Sequence, residues 1–387
     1  MRVSNATADR TATELAERLQ TLRPVDHHVH GCWLSDGSRG RFENALNEAN
    51  TDPLPGWDSA FDTQLGFAVR AHCAPLLGLP AHADPDAYWR RRDSIGEAAV
   101  AERLLPAAGI QDWLVDTGFG RDICSPEQLA RVAGGTARTV LRLESVAEQA
   151  LTSGPDYARN FADLLAAETD RQGAVGFKTV IAYRTGFAID WSEPSPSAVN
   201  EAARRWADSG GRRLADPLLL CFGIRTALAL QARSAGLPVQ FHVGFGDRDE
   251  DLGLTDPLLL LPLLRDPIAT NASIALLHCY PYERQAGYLA QAFAGVHLDV
   301  GLAVNHLGGR SKDLLARSLE LAPFRKLLYS SDAYGPAELH YLGAHLWRAG
   351  TAAVLASFVD DGHWSLADAL RIADLIASTN ARRLYRL

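Results

Sequence analysis

Asp26-His27-His28-Val29-His30 reads as a short strand, Val25–Val29, running into Gly31, where a turn can begin. Side chains alternate along a strand, so Asp26, His28 and His30 are expected on one face and His27 on the other. Two imidazoles two residues apart can grip one metal ion, and neutral imidazole suits zinc, iron and nickel alike. A polar strand end with ordinary hydrogen-bonded histidines is the competing reading of a motif with only two fixed positions. The rest of the chain has to choose between them.

Downstream, short apolar runs at 113–116, 139–144, 174–180, 238–242, 273–278, 296–300 and 326–331 each end in a polar or glycine-rich turn. Helical patterns separate them. With Val25–Val29 they make eight strands, and apolar runs alternating with helices imply a parallel sheet buried on both faces, as in a (β/α)8 TIM barrel. A doubly wound sheet would call for a glycine-rich phosphate-binding turn after an early strand, and the sequence has none. The stretch 33–106 is far longer than a strand-to-helix connection and holds helix-like segments at 61–72 and 85–103. It is expected to be a helical insertion after the first strand, covering the barrel mouth, with Arg70 and His72 as its contributors to substrate binding. No repeat, low-complexity tract or linker interrupts residues 1–387, so a single domain is expected.

A formal charge of -8 argues against nucleic acid or an anionic membrane surface as partner, since both require a basic face. A small-molecule substrate is the expected partner, with a homo-oligomer left open. Cys32, Cys73, Cys124, Cys221 and Cys279 are scattered and odd in number, which suits reduced thiols. With charged residues near the N-terminus and no apolar run of about 18 residues, a cytoplasmic location is expected.

In a barrel of this type the C-terminal strand ends face one mouth, so polar residues there converge even when far apart in sequence. His28 and His30 end the first strand, Lys178 lies near the end of the fourth, His242 ends the fifth, His278 ends the sixth and Asp332 follows the eighth. One such histidine is usually a satisfied core residue. Four, with an aspartate, at corresponding strand ends are hard to explain that way. Weaker candidates are Arg142 and Glu144 at the end of the third strand, expected to pair with each other, and Tyr183 and Arg184, of which Arg suits a carboxylate. Glu144, Tyr183 and Arg184 join Arg70 and His72 as candidate substrate-binding residues.

These residues resemble the metal-dependent amidohydrolase superfamily in identity and order. Gly176-Phe177-Lys178, Ala182-Tyr183-Arg184-Thr185-Gly186, Gln240-Phe241-His242-Val243-Gly244, Leu276-Leu277-His278-Cys279-Tyr280-Pro281 and Asn380-Ala381-Arg382-Arg383-Leu384-Tyr385 are similar to its amidohydrolase-2 branch. That branch includes the amidohydrolase-like domain fused to glutamine synthetase in fungal and plant proteins. The resemblance implies His28, His30, His242, His278 and Asp332 as ligands of zinc or another divalent metal. It adds Lys178, and a second metal, if that lysine is carboxylated. It also implies Asp332 as the catalytic base and hydrolysis of an amide or related C–N bond in a small, carboxylate-bearing substrate. A non-oxidative decarboxylase of the same superfamily and a non-catalytic metabolite-binding domain are the alternatives.

Overall fold

The computed structural model describes residues 5–50, 52–120, 122–233 and 236–387. Seven strands, β1 (Val25–Val29), β2 (Asp112–Asp116), β3 (Thr136–Arg142), β4 (Gly176–Thr179), β5 (Val239–His242), β6 (Ile274–Leu277) and β7 (Val296–Leu298), form one parallel sheet in chain order. Apart from the solvent-touched start of β3, their residues are buried, as runs covered on both faces must be. The sheet curls. Residues 327–333 run between its two edges, with Leu328 N donating to Leu298 O (2.9 Å), His27 N to Tyr329 O (3.1 Å) and His30 N to Ala333 O (2.9 Å).

The expected eighth strand is therefore only a bridging segment. Its regular ladder is interrupted because Ser331 N and Oγ donate to the Asp26 carboxylate (3.0 and 2.5 Å) instead of to a neighbouring carbonyl. Asp332 then turns at φ +48°. Inside the ring, Val25, Leu114, Val140, Ala275, Leu277 and Leu328 form an apolar layer closed from one side by Ala381, Leu384 and Tyr385 of the final helix, Asn380–Tyr385. That layer gives the terminal stretch its place: it is the plug on which the polar groups above rest.

The pairing of β1 with β2 slips between Asp26 and Val29, where three steps on one strand match two on the other. A bulge of this kind reverses the facing of the residues beyond it. Asp26 is accordingly separated from His28 and His30, which still turn together toward Asp332. Asp26 turns to Ser331, and His27 joins the buried network that holds His28.

After β1 the chain forms short helices at Arg39–Ala45, Gln64–Ala68 and Ala74–Leu76, with a π-turn at Val69–Cys73, before the long helix Pro85–Ala108. This last helix is broken at Gly96 (φ +77°), and it packs on Pro126–Ala133 and Ala337–Asp360. Both sides of the break are anchored, with Tyr88 and Arg92 buried before it and Val100, Leu104 and Leu105 buried after it.

A buried ion cluster ties this helix down. Arg92 donates to Glu338 through Nε (2.8 Å) and to Glu97 through Nη2 (2.8 Å), and the Tyr88 hydroxyl also donates to Glu338 (2.9 Å). Removing one partner of a buried pair leaves the other charge dry and unpaired. Glu338→Ala is therefore expected to lower unfolding free energy by about 3–5 kcal/mol in denaturant titrations. A loss below about 1 kcal/mol, the worth of a surface pair, would contradict this account. No helix among the described residues is long and apolar enough to cross a membrane.

Candidate metal centre

The strand ends open on a cavity of about 450 Å³. His30, Lys178, His242 and Asp332 line it from the ring, and Asn44, Asn47 and Glu48 line it from the segment after β1. A second cavity of about 610 Å³ opens beside Ser273, His297 and Arg383, and its lining includes none of the converging strand-end groups.

Asp332 is the hub. Its Oδ1 lies 3.0 Å from His28 Nε2 and 3.4 Å from His30 Nε2, and its Oδ2 lies 3.1 Å from His278 Nε2. Burial alone would raise the Asp332 carboxyl, but His278, His28 and His30 around it hold it well below the usual carboxylate range. Burial pushes the His278 imidazole well down, and burial together with Lys178 lowers His28 to about 4. Both rings are therefore neutral near pH 7, the form that offers a lone pair.

His28, His278 and Asp332 bring one ligand atom each within metal-binding reach of one another. Asp332 Oδ1 and His278 Nε2 are buried, and neither has a hydrogen-bond partner of proper geometry. Buried polar atoms left unpaired call for a missing partner. Two imidazole nitrogens and a carboxylate oxygen suit zinc or a similar divalent ion. A neighbouring trio of His28, His30 and Asp116 also has closely spaced atoms. There Asp116 is already committed, its Oδ2 accepting from Arg142 Nε (3.1 Å) and Nη2 (2.5 Å) and its Oδ1 from Gly118 N (2.9 Å).

Partners behind the rings fix their direction. Gln240 Oε1 sits 2.8 Å from His28 Nδ1 while its amide nitrogen donates to His27 O (2.7 Å) and the Tyr385 hydroxyl (2.8 Å). Asp116 O lies 3.1 Å from His30 Nδ1. Each histidine thus turns Nε2 toward Asp332. Asp299 performs the same service for the backbone of β6, accepting from His278 N (3.1 Å), Gly301 N (2.7 Å) and Ser330 Oγ (2.7 Å). His278 and Asp332 adopt φ of +69° and +48°, a conformation that costs a non-glycine residue energy and that gathers at functional positions.

His242 stands slightly apart. Its ring centre is 4.9 Å from that of His278, and its Nε2 lies 3.2 Å from Glu250 Oε2 and 3.0 Å from the Tyr183 hydroxyl. Lys178 is buried with Nζ 3.4 Å from His28 Nε2, and burial lowers it to about 8. Tyr183 and Arg184 line the cavity.

Three expected substrate-binding residues do not reach it. Glu144 begins a helix instead of ending β3, so it accepts from Thr179 Oγ1 (2.6 Å) and Val180 N (3.0 Å) in the interior, and Arg142 pairs with Asp116 instead. Arg70 donates to Ala83 O (2.7 Å) and His72 packs at a tilt against His345, ring centres 4.3 Å apart, and neither lines the cavity. Strand-end chemistry alone does not single out Gln240 or Glu48. Gln240 carries a signal, since it stands two residues before His242 on the same strand face. Glu48 carries none.

The Amidohydrolase family model matches residues 150–387. The chain is 28% identical to protein fluG of Emericella nidulans across 97% of its own length and 47% of that protein's, so it spans about half the length of this curated relative. A solved structure from Lactobacillus casei, assigned as a metal-dependent hydrolase, is 25% identical with a TM-score of 0.83 and covers 96% of this chain and 97% of that one. A uronate isomerase from Bacillus halodurans, at 14% identity and a TM-score of 0.63 over 98% and 97% of the two chains, shares the fold.

Proposed function

This chain belongs to the amidohydrolase family, and from that premise we propose that it is a metal-dependent hydrolase of an amide or related C–N bond in a small, carboxylate-bearing substrate. The observation that carries this reading is Asp332, a largely buried carboxylate held ionised between His28 and His278 at the wall of the cavity. His28, His278 and Asp332 would hold the ion, with His30 and His242 beside them and zinc the first metal to try. A divalent metal there supplies a Lewis acid for the substrate carbonyl and acidifies water.

Asp332 takes a proton from the attacking water and returns it to the leaving nitrogen, so that the C–N bond breaks as the new C–O bond forms. Gln240 keeps His28 in the tautomer that presents Nε2. Arg184 receives the substrate carboxylate, which fixes the scissile bond relative to Asp332. Lys178, buried beside His28, adds positive charge when protonated. The test is a panel of acyl amines and aromatic acids offered to the metal-loaded protein. Freed amine is the expected product. Released carbon dioxide would instead support a decarboxylase, and no product from any member would favour a metabolite-binding domain.

A further inference from the structure

Most charges on the cavity wall are accounted for: Lys178 sits against His28 (3.4 Å), and the charges that remain describe a ligand. Arg142 is paired with Asp116. Arg213 is held by Asp249 (2.9 Å) and by Tyr183 O (2.7 Å). Arg184 is different: its Nε is buried without a hydrogen-bond partner, and Glu144 and Glu148 stand near it as negative neighbours but outside ion-pair distance among the described residues. On the acidic side, Asp247 accepts Asp249 N on one oxygen only (2.9 Å). Glu48, carried into the cavity by the segment after β1, has neither hydrogen bond nor ion pair among the described residues. Glu250 adds a buried Oε2 that has no hydrogen bond of proper geometry and lies 3.2 Å from His242 Nε2. Burial, with Asp332, Asp247 and Glu250 as negative neighbours, pushes the Glu48 carboxyl up to about 8. An ammonium beside it would draw it back to the charged form.

A buried donor left open on Arg184 and an acid without a protein partner on Glu48, the acid beside further carboxylate oxygens, leave one cavity with a place for a ligand that completes both. We infer that the cavity takes a bipolar ligand, with a carboxylate on Arg184 and an ammonium on Glu48 and Asp247. Resting on the hydrolase reading, this makes the substrate an amino-acid-derived amide in which one ammonium and one carboxylate remain free. Glu48 becomes a specificity residue that the barrel itself does not supply.

The experiment is calorimetric titration of the metal-loaded protein with straight-chain ω-amino acids, from β-alanine to aminocaproate, against the matching alkylamines and alkyl carboxylates. A charge-assisted contact at each end should make at least one ω-amino acid bind roughly tenfold or more tightly than either one-ended analogue. Glu48→Gln should erase the advantage over the carboxylates, and Arg184→Met the advantage over the amines. Equal binding of one-ended and two-ended probes, no binding by any of them, or a Glu48→Gln protein that loses metal but keeps its probe preference would overturn the inference. Turnover is not read, so failure of the hydrolase reading would appear separately, as intact probe selectivity without amide cleavage.

Discussion

Asp332→Asn is expected to abolish most turnover while the protein keeps its metal and its fold. Loss of a general base commonly costs a factor of roughly 10²–10⁴ in rate. Asparagine is the substitution that isolates this effect. It has nearly the same shape, its single amide oxygen can still face His28 while the amide nitrogen takes the place of the oxygen beside His278, and it tolerates the positive φ at this position better than most residues. The measurement is metal stoichiometry and rate on the same preparation. A fully active Asp332→Asn protein with normal metal would remove the base from this mechanism and move weight to the decarboxylase or to a non-catalytic domain.

His28→Ala is expected to lose metal and activity together. An alanine there deletes a ligand nitrogen outright. It also strands Gln240 Oε1 and takes away the nearest ring to Lys178 Nζ. Since changing only the partner behind a ligand typically costs about 10–100-fold in metal affinity, loss of the ligand itself should exceed that range. Gln240→Leu supplies the comparison: it leaves His28 in place but frees its tautomer and orientation, and should fall within about 10–100-fold. Affinity is read by competition with a chromophoric chelator, which needs no substrate. If His28→Ala bound metal as tightly as the parent, the trio of His28, His278 and Asp332 would not be the centre. Equal effects of the two variants would instead point to collapse of the local packing.

Much of this arrangement is legible in one dimension. Apolar runs such as Ile274–Leu277 are continuous because their strands are covered on both faces, and a parallel ring in chain order places each run's C-terminal residue at a common rim. That is why His28, His30, His278 and Asp332 can be picked out without coordinates. Pairings made across the ring are another matter. Alternation is a local rule, and the bulge in β1 that turns Asp26 to Ser331 and His27 toward Asp299 and Tyr385 is visible only in the register with β2. Arg142 and Glu144 are two residues apart, yet their partners, Asp116 and Thr179, come from neighbouring strands. Arg70 and Glu48 lie in the same connection after β1, and nothing in their local pattern says that one turns to Ala83 O and the other into the cavity. Periodicity and strand-end chemistry report burial and chain order, so the sequence determined which strand ends carry the histidines and the aspartate. Which charge meets which depends on contacts between segments tens to hundreds of residues apart, and only the tertiary structure decided it.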